Sequence, residues 1–363
     1  MNSSTELSQF PQNRGELYLQ AMNLRLLKQF DEALGVLERL QQLQPRYSRL
    51  YEERGHCYAA LSNAPKAIDA FRQAVNLNAA LPASWQMLHT LYLKTGDEEN
   101  AAGIADRLAT LGNLPREIIE AASLFADGEL VHAERVLRIY LAQRGEHIEA
   151  MRLLGRICTA RGLRDDAELL LEAVVQRAPG YRAARADYAR ALLDQHRYVR
   201  SREEIRQVLE LDPGNRAYLR QYAEACIRLG DYEPGISLYR RLLGDAQTGR
   251  ESAELHLWIA FSLRVQGHRT EAIEGYRAAI AALPESGEAW WSLANFKTHH
   301  FSLDDIARMR SAETAPATSL VDRYHLCFAL GKALEDQKDY ADSWVYYERG
   351  RSEERRVGKE CLE

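Results

Sequence analysis

Four arginines lie at similar positions in three successive stretches of the chain and could together bind an oxyanion. A guanidinium group presents a planar fork of N–H donors that matches a carboxylate or a phosphate. The segment 148–228 around them holds 15 arginines, no lysine and 12 acidic residues. We therefore expect a groove that binds an extended acidic peptide. The four arginines are Arg152, Arg156, Arg190 and Arg220.

The alternative for these arginines is an ordinary solvated face. Carboxylates that are close in sequence or in repeat position could neutralise them, and exposed pairs of this kind stabilise a protein little. Glu149, Asp187 and Glu224 are the candidate partners.

Aromatic side chains take the place of the arginines further along the chain. Trp258, Phe261 and Trp291, with Asn295, occur at the corresponding positions. Large aromatic rings are common anchors in protein interfaces. We expect these residues to anchor a partner, with core packing as the alternative for Trp258.

The sequence contains no recognisable catalytic or metal-binding motif. Gly331-Lys332 lacks the upstream glycine and the following Ser or Thr of a phosphate-binding loop. His299 and His300 are adjacent, so on a helix they would point about 100° apart and could not easily share a metal ion. The five cysteines lie far apart, so we expect a reducing cytosol and no disulfide framework. Cys158 and Cys226 replace the aromatic residue of the repeat, and we expect them to be buried. We expect no cofactor, no metal ion and no active site within this chain.

Composition excludes several other classes of function. The chain is 46% hydrophobic and 27% charged, with a net charge of −5, whereas nucleic-acid binding favours a strongly basic domain. No stretch approaches 18 uninterrupted apolar residues, so no membrane span is expected. Residues 1–16 lack a basic region followed by an apolar run, so no secretory signal is expected. These features favour a cytoplasmic protein that binds neither nucleic acid nor membrane.

A repeat of about 34 residues must position the candidate residues. Ten units begin near Arg14, Ser48, Pro82, Leu114, Ile148, Arg182, Arg216, Ala253, Gly287 and Tyr324. Two columns of small residues support this alignment, as expected where two helices cross closely. The first column reads Ala21, Gly55, His89, Ala121, Gly155, Ala189, Ala223, Ala260, Ala294 and Gly331. The second reads Ala33, Ala67, Ala101, Ala133, Ala167, Ser201, Gly235, Ala272, Ile306 and Ser343.

Turn signals and one irregular unit complete the pattern. Gly96-Asp97 and Gly230-Asp231 predict a glycine at the end of one helix and an aspartate cap on the next. The ninth unit is degenerate in its second helix, where Ile306 replaces the expected small residue.

The pattern resembles the tetratricopeptide repeat, whose signature is W-x2-L-G-x2-Y, then A-x3-F, then P. Gly55, Tyr58, Ala67 and Phe71 carry this resemblance in the second unit. It implies an all-α fold of about ten helical hairpins in a right-handed superhelical solenoid. The first helices would line a concave face, and proteins or peptides would be the partners.

The array is expected to cover residues 14–350, with 1–13 as a disordered or short capping segment. Segments 287–309 and 325–350 resemble the repeats that precede the catalytic domain of bacterial tetratricopeptide-repeat sulfotransferases. That resemblance implies a substrate-recruiting arm, with the donor PAPS bound by a domain that follows in the family. After Gly350 the chain reads RSEERRVGKECLE without a donor loop, so we expect truncation and an artefactual or disordered tail at 351–363. The alternative is a complete, free-standing adaptor protein.

Overall fold

The computed structural model describes residues 13–296, 299–316 and 318–360, and within those ranges it contains twenty α-helices and no strand. The predicted all-α array of hairpins is confirmed. The chain divides into two compact units, residues 1–191 and residues 192–363, and the division falls inside α11 (Arg182–Asp194).

The first unit contains five complete hairpins before α11. Its helices are α1 (Arg14–Leu26), α2 (Phe30–Leu43), α3 (Ser48–Ala60), α4 (Ala64–Leu77), α5 (Pro82–Thr95), α6 (Glu98–Gly112), α7 (Arg116–Ala126), α8 (Leu130–Arg144), α9 (Ile148–Ala160) and α10 (Arg164–Arg177).

The second unit follows α11 with nine further helices. They are α12 (Tyr198–Leu211), α13 (Arg216–Leu229), α14 (Tyr232–Gly244), α15 (Gly249–Val265), α16 (Arg269–Ala282), α17 (Gly287–Ala294), α18 (Leu303–Thr314), α19 (Leu320–Asp336) and α20 (Tyr340–Glu360).

The small-residue columns lie where the two helices of a hairpin touch. A Cβ atom added at Gly155 would lie 2.6 Å from Leu171 Cγ, and one added at Gly55 would lie 2.8 Å from the ring of Phe71. In the second unit, Ala223, Ala260 and Ala272 of the columns are fully buried. Ordinary carbon contacts are about 3.5–4.0 Å, so no larger residue fits at Gly55 or Gly155 without displacing its neighbour.

The predicted glycine at the end of the helix is confirmed at both sites, and the predicted aspartate cap at one of them. Gly96 adopts a left-handed conformation with φ of 79° at the end of α5, and the Asp97 side chain accepts a hydrogen bond from the Asn100 backbone N–H at 3.2 Å. Gly230 likewise has φ of 85°, but Asp231 makes no capping hydrogen bond. Asp231 forms an ion pair with Arg202 instead.

A buried polar cluster ties α7 to the beginning of the first unit. Asn78 Nδ2 donates to Ser123 Oγ at 3.0 Å, and the Ser48 backbone N–H donates to Asp127 Oδ1 at 3.2 Å. Arg49 Nε lies 3.5 Å from Asp127 Oδ2. Since Asn78 and the Asp127 side chain are almost fully buried, these hydrogen bonds satisfy groups that would otherwise be costly to bury.

The second unit has one continuous apolar core from Leu219 to Leu334. The irregular ninth hairpin belongs to it, because Ile306 and Trp290 are both buried there. The first helix of this ninth hairpin, α17, is only 8 residues long. Glu313, at the end of α18, is 4% exposed and accepts from Arg349 Nη1 at 3.1 Å through both carboxylate oxygens.

The bounds expected for the repeat array, 14–350, and for an artefactual or disordered tail, 351–363, stay predictions. Residues 351–360 continue α20 as regular helix, and Glu353 pairs there with Arg356. Helix formation needs no apolar stripe when the preceding turns already nucleate the helix. Residues 361–363 and 1–12 lie outside the described residues.

Candidate functional site: one pocket in each unit

The first unit contains an open pocket of about 750 Å³ between the ends of α4 and α6 and the helices α7 and α9. Its lining combines apolar and cationic side chains. Leu111, Ile118, Phe125 and Leu153 are among the apolar residues, and Arg107, Glu149, Arg152, Arg156 and Tyr181 are among the polar ones.

Arg152 is held by its neighbours in this pocket. Its Nε donates to Asp187 Oδ2 at 2.6 Å and its Nη1 donates to the Tyr181 hydroxyl at 2.6 Å. Burial raises the pKa of the Asp187 carboxyl, and the adjacent Arg152 and Arg156 oppose that shift. Arg152 is therefore engaged in the way that the solvated-face alternative described, with Asp187 as its carboxylate.

Arg156 is placed differently from Arg152. Its guanidinium lies 5.1 Å from the centre of the Phe125 ring, and its Nε is 3.8 Å from Asp187 Oδ1, beyond hydrogen-bond distance. The side chain is 43% exposed. Arg156 therefore keeps N–H donors available towards the pocket.

The other two predicted arginines lie elsewhere. Arg190 is half-buried on α11 and interacts with other residues of the chain. Arg220 belongs to the second unit, where its Nη2 donates to Glu254 Oε2 at 2.5 Å. The predicted continuous strip of four arginines crosses the two units and stays a prediction.

The second unit contains a pocket of about 590 Å³, lined mainly by the first helices of three successive hairpins. Trp258 and Phe261 both line it. The two rings meet edge to face, with their centres 6.2 Å apart. The other predicted aromatic residue, Trp291, packs against Phe328 with the ring centres 5.6 Å apart. It is not among the lining residues of this pocket. Asn295 donates to the Trp291 carbonyl at 3.0 Å.

Trp258 serves both the core and the pocket. It stacks on Tyr239 with ring centres 6.1 Å apart and packs against the core of the second unit. The two predicted roles, anchor and core residue, are therefore compatible at this position. Phe261 is 37% exposed, a larger exposed fraction than that of the half-buried Trp258.

Two arginines of this pocket were missed by the sequence analysis. The guanidinium carbon of Arg228 lies 5.3 Å from the centre of the Trp258 ring, over its face. The guanidinium carbon of Arg264 lies 5.4 Å from the centre of the Phe261 ring in the same way. Both line the pocket. Their signal in the sequence was their shared place in the last turn of a first helix, directly before a glycine turn.

Two glutamates also line this pocket and offset part of the positive charge of its arginines. Glu254 is paired with Arg220. Burial, and secondly the nearby Asp322, raise the pKa of Glu288. Three arginines and two glutamates therefore line the pocket, and one glutamate is already paired.

The four cysteines that the structure describes are buried thiols, as predicted for Cys158 and Cys226, and Cys361 lies outside the described residues. Cys57, Cys158, Cys226 and Cys327 are all buried and unpaired. Burial raises the pKa of Cys57 and of Cys158 to about 11, which makes both thiols poor nucleophiles. No group of three or more metal-ligating side chains occurs in the described ranges, and no helix there is long and apolar enough to cross a membrane.

An array of stacked helical hairpins with pockets on its first helices defines a helical-repeat protein. Family models described as tetratricopeptide repeat match residues 18–84 and residues 162–220. This chain therefore contains tetratricopeptide repeats. None of the curated proteins matches its sequence.

One solved structure supports the fold, and two with lower TM-scores are also similar to this chain. A human IFIT1 dimer with PPP-AAAA is 16% identical, with a TM-score of 0.50, and the match covers 96% of this chain and 83% of that one. The APC/C hetero-tetramer Cut9-Hcn1 is 16% identical with a TM-score of 0.43, covering 94% of this chain and 74% of that one. MamA is 15% identical with a TM-score of 0.40, covering 46% of this chain and 96% of that one. At these identities the likeness concerns the fold alone.

Proposed function

We propose that the protein is a scaffold that binds segments of partner proteins in its pockets. The observation that carries the proposal is the pocket of the second unit. First helices of consecutive repeats there present Trp258, Phe261 and several arginines to one open space of about 590 Å³. Aromatic residues and arginine dominate the energetics of protein interfaces. The tetratricopeptide-repeat architecture agrees with a role in protein binding.

A peptide selection tests this function. The immobilised full-length chain is offered a phage-displayed library of random 12-residue peptides, with the urea-unfolded chain as the control surface. We expect peptides that bind the folded chain and compete with one another for it. The proposal fails if selection enriches no sequence, or only sequences that bind the unfolded control equally well.

A replacement inside the pocket connects binding to this site. Phe261→Asp replaces an exposed aromatic ring of the pocket with a charged carboxylate and should abolish capture of the enriched peptides. Leu303→Asp is the matched control, because Leu303 is 76% exposed and does not line the pocket. Equal capture by the wild-type chain and by Phe261→Asp would place the binding site elsewhere.

A finer proposal concerns the parent protein. The resemblance of 287–309 and 325–350 to the repeats of bacterial sulfotransferases supports a substrate-recruiting arm for a PAPS-dependent enzyme. The free-standing cytoplasmic adaptor is the alternative, and the wide spacing of the cysteines supports a reducing compartment for either. The coding sequence beyond the Gly350 codon distinguishes them: a strand with a Pro/Arg/Ser/Gly-rich loop supports the arm, and an immediate stop supports the adaptor.

A further inference from the structure

Two arginines in the pocket of the second unit are held in place without any carboxylate partner. Arg228 and Arg264 form no ion pair and no side-chain hydrogen bond with any residue that the structure describes. This distinguishes them from Arg220 in the same pocket, which is bound to Glu254. Their N–H donors are therefore available to form hydrogen bonds with a ligand in this pocket.

Aromatic rings hold the two guanidinium groups. Each lies over a ring of α15, Arg228 over Trp258 and Arg264 over Phe261. Stacking on an aromatic face holds a guanidinium while leaving its N–H edge open. Less side-chain freedom is then lost when a ligand binds, which favours affinity.

The helix ends do not use these arginines as caps. Gly230 satisfies the end of α13, because its backbone N–H donates to the Ile227 carbonyl at 3.0 Å. Gly267 donates in the same way to the Arg264 carbonyl at 3.1 Å. Both guanidinium groups are therefore unnecessary for helix termination, although each lies in a last helical turn.

We infer that Arg228 and Arg264 form an oxyanion site, which binds one phosphorylated side chain or two neighbouring acidic side chains of a partner segment. The exposed ring of Phe261 supports the apolar part of the same segment. This inference rests on the proposed function, because it specifies which chemical group of a partner protein the scaffold recognises. Acidic and phosphorylated side chains would accept hydrogen bonds from the same two guanidinium groups, and an experiment distinguishes between them.

The random 12-residue peptide library tests the inference with two variants. Arg228→Gln/Arg264→Gln removes the charge and the forks, and Arg250→Gln/Arg269→Gln is a control that removes the same charge from exposed arginines outside the pocket. We expect Asp and Glu to be enriched among peptides selected by the wild-type and control chains. The enrichment should vanish with the pocket variant.

Synthetic peptides then measure the effect by fluorescence polarisation. For an enriched peptide, we expect the pocket variant to raise Kd roughly tenfold or more, and Gln in place of its acidic residues to do the same. The control variant should change Kd less than about threefold. A phosphoserine version that binds more tightly than the Glu version identifies phosphate as the preferred oxyanion, and weaker binding identifies carboxylate.

Folding is monitored by far-UV circular dichroism and by Tm. Neither arginine makes an ion pair with any of the described residues, so the pocket variant should lose only a few degrees of Tm. Arg228→Lys/Arg264→Lys keeps the charge and removes the fork, and it should bind more weakly than wild type while folding normally. If no peptide is selected at all, the proposed function fails. If peptides are selected without acidic enrichment, or bind the pocket variant unchanged, the scaffold stands and the oxyanion site is refuted.

Discussion

Replacing Gly155 by alanine should destabilise the first unit through one specific clash. The added methyl group would lie 2.6 Å from Leu171 Cγ and 2.9 Å from Leu171 Cδ2. Ordinary contact is about 3.5–4.0 Å, so α9 and α10 must separate or Leu171 must leave its position. Overpacking of this kind costs about 1–3 kcal/mol.

A second glycine isolates that cost from helix propensity. Alanine gains roughly 0.5–1 kcal/mol over glycine in a helix interior wherever it fits. Gly103, inside α6, has no atom within 4 Å of an added Cβ, so Gly103→Ala should be stabilising by that amount. The difference in unfolding free energy between the two variants should then be about 1–3 kcal/mol.

Urea unfolding followed by circular dichroism at 222 nm measures both variants. Adding Leu171→Ala to Gly155→Ala removes the clashing atoms, so the double variant should be more stable than the sum of the two single changes predicts. Equal stability of Gly155→Ala and Gly103→Ala would refute the close helix crossing on which the repeat assignment rests. Strict additivity with Leu171→Ala would refute the identity of the contact.

Three further perturbations have defined outcomes. Arg349→Ala removes the Nη1 group that donates to both oxygens of the buried Glu313 carboxylate and should cost roughly 1–3 kcal/mol of unfolding free energy in urea titration; an unchanged midpoint would show that the pair contributes nothing. Arg152→Gln removes a partner that opposes the raised pKa of Asp187, so the variant should be destabilised at pH 7 and should recover towards wild type as the pH falls and this carboxyl protonates; a deficit that grows on acidification would contradict this sign. Cys158, whose pKa is raised to about 11, should resist iodoacetamide at pH 8 in the native chain and react after unfolding, as read by peptide mass spectrometry; rapid native labelling would contradict its burial.

The hairpin architecture was readable from sequence because it depends on a local, repeated requirement. Every unit must bring two helices close together, and that requirement recurs as a small residue at Gly55, Gly155 and Gly331. The buried cluster of Asn78 and Asp127 follows no such period. It joins residues 49 positions apart, and a single sequence carries no signal for such a pairing.

The pocket residues were predicted only in part. Spacing identified Arg152, Arg156 and Arg220 as arginines of first helices, and all three line pockets. Spacing could not show which guanidinium groups are neutralised, because that depends on carboxylates placed by neighbouring helices. The unpaired Arg228 and Arg264 became visible only with the geometry of Trp258 and Phe261.

Hydrogen exchange measured with and without a selected peptide tests the central claim, that partner segments bind on the first helices of the repeats. The complex should show slower amide exchange in α13 and α15, whose side chains line the pocket of the second unit. The second helices α14 and α16 should change much less. Protection confined to α14 and α16, or no protection at saturating peptide, would contradict the account.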